Sequence, residues 1–121
     1  MSSDIPIAQS IVRPMTAEDR SAVIELLASS DPWKRLGYQA NDWDQYFAPL
    51  PQGRDSYVVD QNGRVVGIVV VRRKFLLGDY VELLGVADWA RGKGLGGLLL
   101  AYVEASVFER VQNLFACVSD F

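Results

Sequence analysis

The densest chemistry in the chain lies at Arg91-Gly92-Lys93-Gly94-Leu95-Gly96-Gly97, where four glycines fall within six positions. Glycine leaves the backbone N–H groups uncovered. At the start of a helix, with the helix dipole behind them, such groups bind phosphate. Arg91 and Lys93 bring positive charge to the same point, and a pyrophosphate suits the arrangement. Two generic readings are open. The run is either a permissive flexible connector or a dinucleotide loop of the Rossmann type, with Asp120, about 20–25 residues on, placed as a ribose-binding acid. Two features oppose the dinucleotide loop. Ala87-Asp88-Trp89-Ala90-Arg91 separate the glycines from the preceding strand, and three strands come before a unit that normally opens its domain. A Walker A loop is excluded, because no Gly-Lys is followed by Ser or Thr.

The second chemical candidate is Glu82, one acid in an otherwise apolar strand of Tyr80, Val81, Leu83 and Leu84. Buried there, its carboxyl would rise toward the range useful for a base. Facing solvent on an alternating strand, it would do nothing. The chain holds no histidine and one cysteine, Cys117. That excludes a Ser-His-Asp triad, a Cys-His dyad, an intrachain disulfide and a zinc site of the usual Cys/His type. No metal is expected. Acid–base work falls to carboxylates, Tyr, Lys, Cys or water. Cys117, in an apolar strand, reads as a small core residue. Arg72-Arg73-Lys74 reads as a solvated strand end.

The elements that must position these groups follow from the pattern. Residues 1–9 read as a loose tail and residues 10–121 as one domain. Residues 10–14 suit a short strand stopped by Pro14. Thr16 suits a helix N-cap, followed by acids and an apolar stripe of Val23, Ile24, Leu26 and Leu27 running to about residue 28. Residues 33–47, rich in aromatics, suit one or two short helices. Strands are expected at 56–60, 64–75 and 80–86, joined by an Asn62-Gly63 hairpin turn and a second turn at 77–79. The nearly continuous apolar character of 64–75 places it centrally in the sheet. A helix follows the glycine run to about residue 111, and residues 114–118 form a last strand. Strand, helix and strand make a βαβ unit, so 80–86 and 114–118 run parallel. The class is α+β, with a mixed, mostly antiparallel sheet flanked by helices.

The stretch Leu83-Leu84-Gly85-Val86-Ala87-Asp88-Trp89-Ala90-Arg91-Gly92-Lys93-Gly94-Leu95-Gly96-Gly97-Leu98-Leu99-Leu100 resembles the coenzyme A signature of the GNAT N-acetyltransferase superfamily. That signature is a strand ending in apolar-x-Val, a short link, Arg-Gly-x-Gly-x-Gly or Ala, and an apolar helix. The Pro usual in the link is absent; Asp88 or Trp89 takes its place. The resemblance implies that Arg91, Gly92, Lys93, Gly94, Leu95, Gly96 and Gly97 wrap the pyrophosphate of acetyl-CoA. Leu84, Gly85 and Val86 would hold the pantetheine arm in a gap between the splayed strands. Gly85 would mark a bulge, the Val86 amide would polarise the thioester carbonyl, and Glu82 would be the base. The acceptor pocket would take Trp33 and Tyr38, within an aromatic and acidic segment that also holds Lys34, Trp43, Asp44 and Tyr46; cation–π contact there would favour a cationic amine. Core packing explains the same aromatics better.

The resemblance also implies a further helix, carrying a Tyr that protonates the leaving thiolate, and two more strands. None of Tyr38, Tyr46, Tyr57, Tyr80 or Tyr102 matches that position, so the chain is a fragment, a partner chain completes the site, or the protein is a degenerate binder; a fragment is the most economical expectation. The implied reaction is direct acetyl transfer to a primary amine in a ternary complex. The alternatives are an incomplete or non-catalytic acyl-CoA-binding module and a dinucleotide-binding βαβ protein.

The composition fits one small folded domain: 121 residues, 50% apolar, 22% charged and a formal charge of −3. An acidic balance argues against general nucleic-acid binding. No leader is expected at 1–10. The longest apolar stretch, 65–71, is too short to span a bilayer. A cytoplasmic protein with an amine acceptor and a possible homodimer is the resulting expectation.

Overall fold

The computed structural model describes residues 10–31, 33–47, 54–75, 78–107 and 114–116. The elements run β1 (Ser10–Pro14), α1 (Arg20–Ser29), α2 (Ala40–Tyr46), β2 (Arg54–Gln61), β3 (Arg64–Phe75), β4 (Gly78–Val86), α3 (Leu95–Val107) and β5 (Leu114–Ala116). Single 3₁₀ turns at Ala17–Asp19 and Asp88–Ala90 lead toward α1 and the glycine loop. The five strands lie in sequence order, β1-β2-β3-β4-β5. The first four pair antiparallel, and β4 pairs with β5 in parallel through Asp79↔Leu114, Tyr80↔Phe115 and Val81↔Ala116. The α+β class and the parallel βαβ closure therefore match the sequence pattern. The expected tail at 1–9, Cys117 and Asp120 lie outside the described residues.

β3 is the middle strand because both of its faces are covered. Val66, Ile68, Val69, Val70 and Val71 are all buried. α1 covers one face with Val23, Leu26 and Leu27, and α3 covers the other with Leu95, Leu99 and Val103. Gly67 permits the close seating of α3, since a Cβ there would meet Leu99 Cδ1 at 3.2 Å. The β2–β3 turn uses Asn62 at φ 52° and Gly63 at φ 86°, the left-handed geometry that Asn-Gly supplies most easily. Asp60 accepts the Gly63 N–H at 2.7 Å and closes it.

α1 is started by a charge lock. Asp19, 8% exposed, accepts two bonds from Arg13, at 2.7 and 2.9 Å, one from the Thr16 N–H at 2.8 Å and one from the Thr16 hydroxyl at 3.1 Å. The Arg13 guanidinium, against the opposing cost of burial, holds the Asp19 carboxyl well below its usual range.

One expectation about β4 is corrected. The bulge falls at Glu82, not at Gly85. Val70 faces Leu83 and Val71 faces Val81, which leaves Glu82 as the extra residue, while Gly85 pairs regularly with Ile68. Gly85 lacks a side chain for another reason: a Cβ there would come within 2.7 Å of Trp33 Cη2. No helix among the described residues is long and apolar enough to cross a membrane.

Candidate active site

Two clefts meet along β4. The first, of about 320 Å³, is lined by Leu84, Gly85, Val86, the loop residues Arg91, Gly92 and Gly94, and the start of α3. Its floor is backbone. The Ala87 N–H donates to Val66 O on β3 at 2.9 Å. Strand alternation then turns the N–H and C=O groups of Leu84 and Val86 to the other edge of β4. The described part of β5 pairs only with Asp79–Val81, so it does not cover that edge. The glycine loop continues from it. Gly92 and Gly94 adopt φ of 78° and 80°, left-handed values that L side chains rarely take. The Leu98 N–H is bonded to Gly94 O at 3.0 Å, so the N–H groups of Leu95, Gly96 and Gly97 form the unbonded first turn of α3. A Cβ added at Gly96 or Gly97 would meet nothing within 4 Å.

Arg91, expected to bring positive charge to the loop, is also tied down within the chain. Its guanidinium donates to Val86 O at 3.3 Å and to Asp31 O, and lies 3.1 Å from the Asp88 carboxylate. It ties the end of β4, the 3₁₀ link and the chain after α1 together. The Val86 carbonyl is thereby occupied.

The second cleft, of about 360 Å³, is lined by Trp33, Leu36, Tyr38, Asp42, Trp43, Tyr46, Glu82 and Leu83. Its rings pack on one another. Trp33 meets Trp43 edge-on at 5.9 Å, Tyr38 meets Trp43 at 5.5 Å, and Trp43 meets Tyr46 at 5.9 Å. The aromatic segment thus divides: Trp43 and Phe47 are buried in the core, while Trp33, Tyr38 and Tyr46 face the cleft. The Trp43 indole N–H is buried with no hydrogen-bond partner.

Glu82 is far from solitary. It accepts the Tyr46 hydroxyl at 2.5 Å, Arg72 at 2.6 Å and Arg54 Nη2 at 3.2 Å. Arg54 Nε also lies 2.6 Å from the carboxylate, a charge contact without hydrogen-bond alignment. Strand register makes this cluster: Arg54 sits opposite Arg72, and the bulge turns Glu82 toward them. Arg72, read from sequence as a solvated strand end, is therefore part of the site, and Arg73 pairs with Asp55 at 3.5 Å. Burial first, then the bond to Glu82, holds the Tyr46 phenol protonated well above its usual range. Sequence reading missed Arg54, Arg72 and Asp42 as site residues. Only the register of three strands and the docking of α2 bring them together. No group of three or more His, Cys, Asp or Glu that could hold a metal ion occurs among the described residues.

This arrangement is a backbone-lined glycine loop leading to a strand edge that no described strand covers beyond Val81, with a side-chain pocket beside it. Residues 20–120 match the profile of the Acetyltransferase (GNAT) family. The chain belongs to that family of acetyltransferases, whose co-substrate is acetyl-CoA. No curated protein sequence matches it. Among solved structures, an acetyltransferase from Thermus thermophilus aligns with TM-score 0.78 at 18% identity, over 97% of this chain and 80% of that one. A GNAT family acetyltransferase from Elizabethkingia anophelis with acetyl-CoA bound aligns with TM-score 0.65 at 23% identity, over 89% and 64%. The ribosomal-protein-S18-alanine N-acetyltransferase from Escherichia coli aligns with TM-score 0.73 at 14% identity, over 88% and 65%. The five-residue link before the glycines and this family membership set the dinucleotide reading aside.

Proposed function

We propose that the chain transfers an acetyl group from acetyl-CoA to a primary amine by direct attack in a ternary complex. The observation that carries the reading is the adjacency of the two clefts on β4: Leu84, Gly85 and Val86 line the first with the glycine loop, and Glu82 and Leu83 line the second. The amides of Leu95, Gly96 and Gly97, with Gly92, Gly94 and Lys93 beside them, receive the pyrophosphate. Leu84 holds the pantetheine arm through its backbone groups, and Gly85 keeps that stretch low. The Val86 N–H polarises the thioester carbonyl. Arg91 serves by fixing the loop to the strand.

The acceptor enters past Trp33 and Tyr38, whose ring faces attract an ammonium group. Glu82 takes its proton, directly or through water, and the neutral nitrogen attacks the carbonyl carbon as the C–S bond breaks. The proton-accepting role requires an ammonium to compete with Arg72, the most exposed partner of Glu82 at 44%. The thiolate of CoA leaves and takes up the second proton, which the newly acylated nitrogen gives up as it becomes the neutral amide.

Calorimetric titration of the 121-residue chain with acetyl-CoA, with NAD as control, tests the cofactor half of this reading. Acetyl-CoA is expected to bind and NAD not. Gly96→Val, which adds a side chain where no protein atom lies within 4 Å, is expected to abolish binding without unfolding the chain. Binding that survives Gly96→Val would mean that the loop does not hold the pyrophosphate.

A further inference from the structure

We infer that Trp33 sets the length of the acyl group that the enzyme accepts, by standing as the wall between the two clefts. The inference rests on the acyl-CoA reading of the first cleft. Three observations carry it. Trp33 lines both cavities, and no other described residue does so. Its six-membered ring sits directly on Gly85, where even a single Cβ would meet Cη2 at 2.7 Å and Cζ3 at 3.0 Å. The ring is then braced from behind by Trp43, edge-on at 88°, and Trp43 is itself only 7% exposed.

The geometry has a chemical consequence. An acyl group polarised by the Val86 N–H lies beside Gly85, the next residue on the strand. A methyl group needs little space there. Each further methylene of a propionyl or butyryl group needs volume that the indole occupies. Because the Trp43 brace is in the core, the indole cannot swing aside without disturbing packing. A hydrophobic wall of this kind discriminates by about ten-fold or more for each methylene.

The test compares dissociation constants of CoA, acetyl-CoA and butyryl-CoA for the wild-type chain, Trp33→Ala and Trp33→Phe, by titration calorimetry. The wild type is expected to favour acetyl-CoA over butyryl-CoA. Trp33→Ala is expected to shrink that preference by about ten-fold or more, with Trp33→Phe between the two and each acyl-CoA affinity read relative to that of CoA in the same variant. Circular dichroism checks folding. Should Trp33→Ala unfold, Trp33→Phe, which keeps a ring on Gly85, decides the matter alone. An unchanged preference in a folded variant overturns the inference. So does an equal loss for all three ligands, which would mark Trp33 as a packing residue only. Failure of the wild type to bind acetyl-CoA removes the cleft reading and this inference together. Wild-type binding with an unmoved preference in the variants removes this inference alone.

Discussion

Asp19 and Glu82 are gripped in nearly the same way and do different work. Each carboxylate accepts from arginine and from a hydroxyl: Asp19 from Arg13 and Thr16, Glu82 from Arg54, Arg72 and Tyr46. The partners of Asp19 lie within six residues of it. They join the end of β1 to the start of α1, and the lock serves the fold. The partners of Glu82 come from α2, β2 and β3 and surround one wall of a cavity. Pairing alone therefore does not separate a structural carboxylate from one at a site. The difference lies in what surrounds the pair: a helix start in one case, and in the other a pocket that opens onto the edge of β4.

The comparison breaks most sharply at Glu82. Glu82→Gln keeps the shape and an acceptor oxygen but removes the charge. If Glu82 takes the proton of the amine, turnover should fall by about 10²–10⁴-fold, with acetyl-CoA affinity unchanged by calorimetry. A fall in stability without a fall in turnover would make Glu82 a second Asp19.

Asp19→Asn should do the reverse. We expect a loss of about 2 kcal/mol of stability, from the charged hydrogen bonds removed, and no change in turnover per folded molecule. The pH dependence follows from the depressed carboxyl. Asp19 stays ionised in the folded chain below its ordinary value of 3.8, so the unfolded chain takes up the proton first. The stabilisation is complete above that pH and is lost as pH falls below it. Thermal melts of wild type and Asp19→Asn should differ most near neutrality and converge in acid. A gap that stays constant down to about pH 2 would show that Asp19 is not held ionised by Arg13.

What the sequence made legible divides along the same line. The glycine loop, the Asn62-Gly63 turn, the order of elements and the parallel closure of β4 on β5 all follow from neighbouring residues or regular spacing. The signature around the loop is contiguous, so family and fold could be read from it. The surroundings of Glu82 could not. Its isolation in an apolar strand left burial and solvent exposure both open, and register brings it two arginines from other strands. Gly85 in a strand suggested a bulge, but its missing Cβ accommodates Trp33 from a distant turn, and the bulge lies at Glu82. Arg72 looked like the solvated end of β3 for the same reason: a strand's own sequence does not name the side chains opposite it.

The smallest effects concern the two hydroxyls, and they sharpen the comparison most finely. Thr16→Ala removes one bond to Asp19 from the start of α1. It should cost about 1 kcal/mol of stability and leave the amine KM unchanged. Tyr46→Phe removes the 2.5 Å bond to Glu82 while keeping the ring that packs on Trp43 and Phe47. The net value of one such bond is again about 1 kcal/mol, but its effect should appear elsewhere. Without the phenol, Glu82 turns further toward Arg54 and Arg72 and is less available to an ammonium. The amine KM should rise by about five-fold, the equivalent of that 1 kcal/mol, with acetyl-CoA affinity unmoved. Steady-state kinetics and thermal melts on both variants read the two effects separately. If Tyr46→Phe lowers the melting temperature as Thr16→Ala does and leaves KM alone, the phenol belongs to the fold, and the pocket begins at Trp33 and Tyr38.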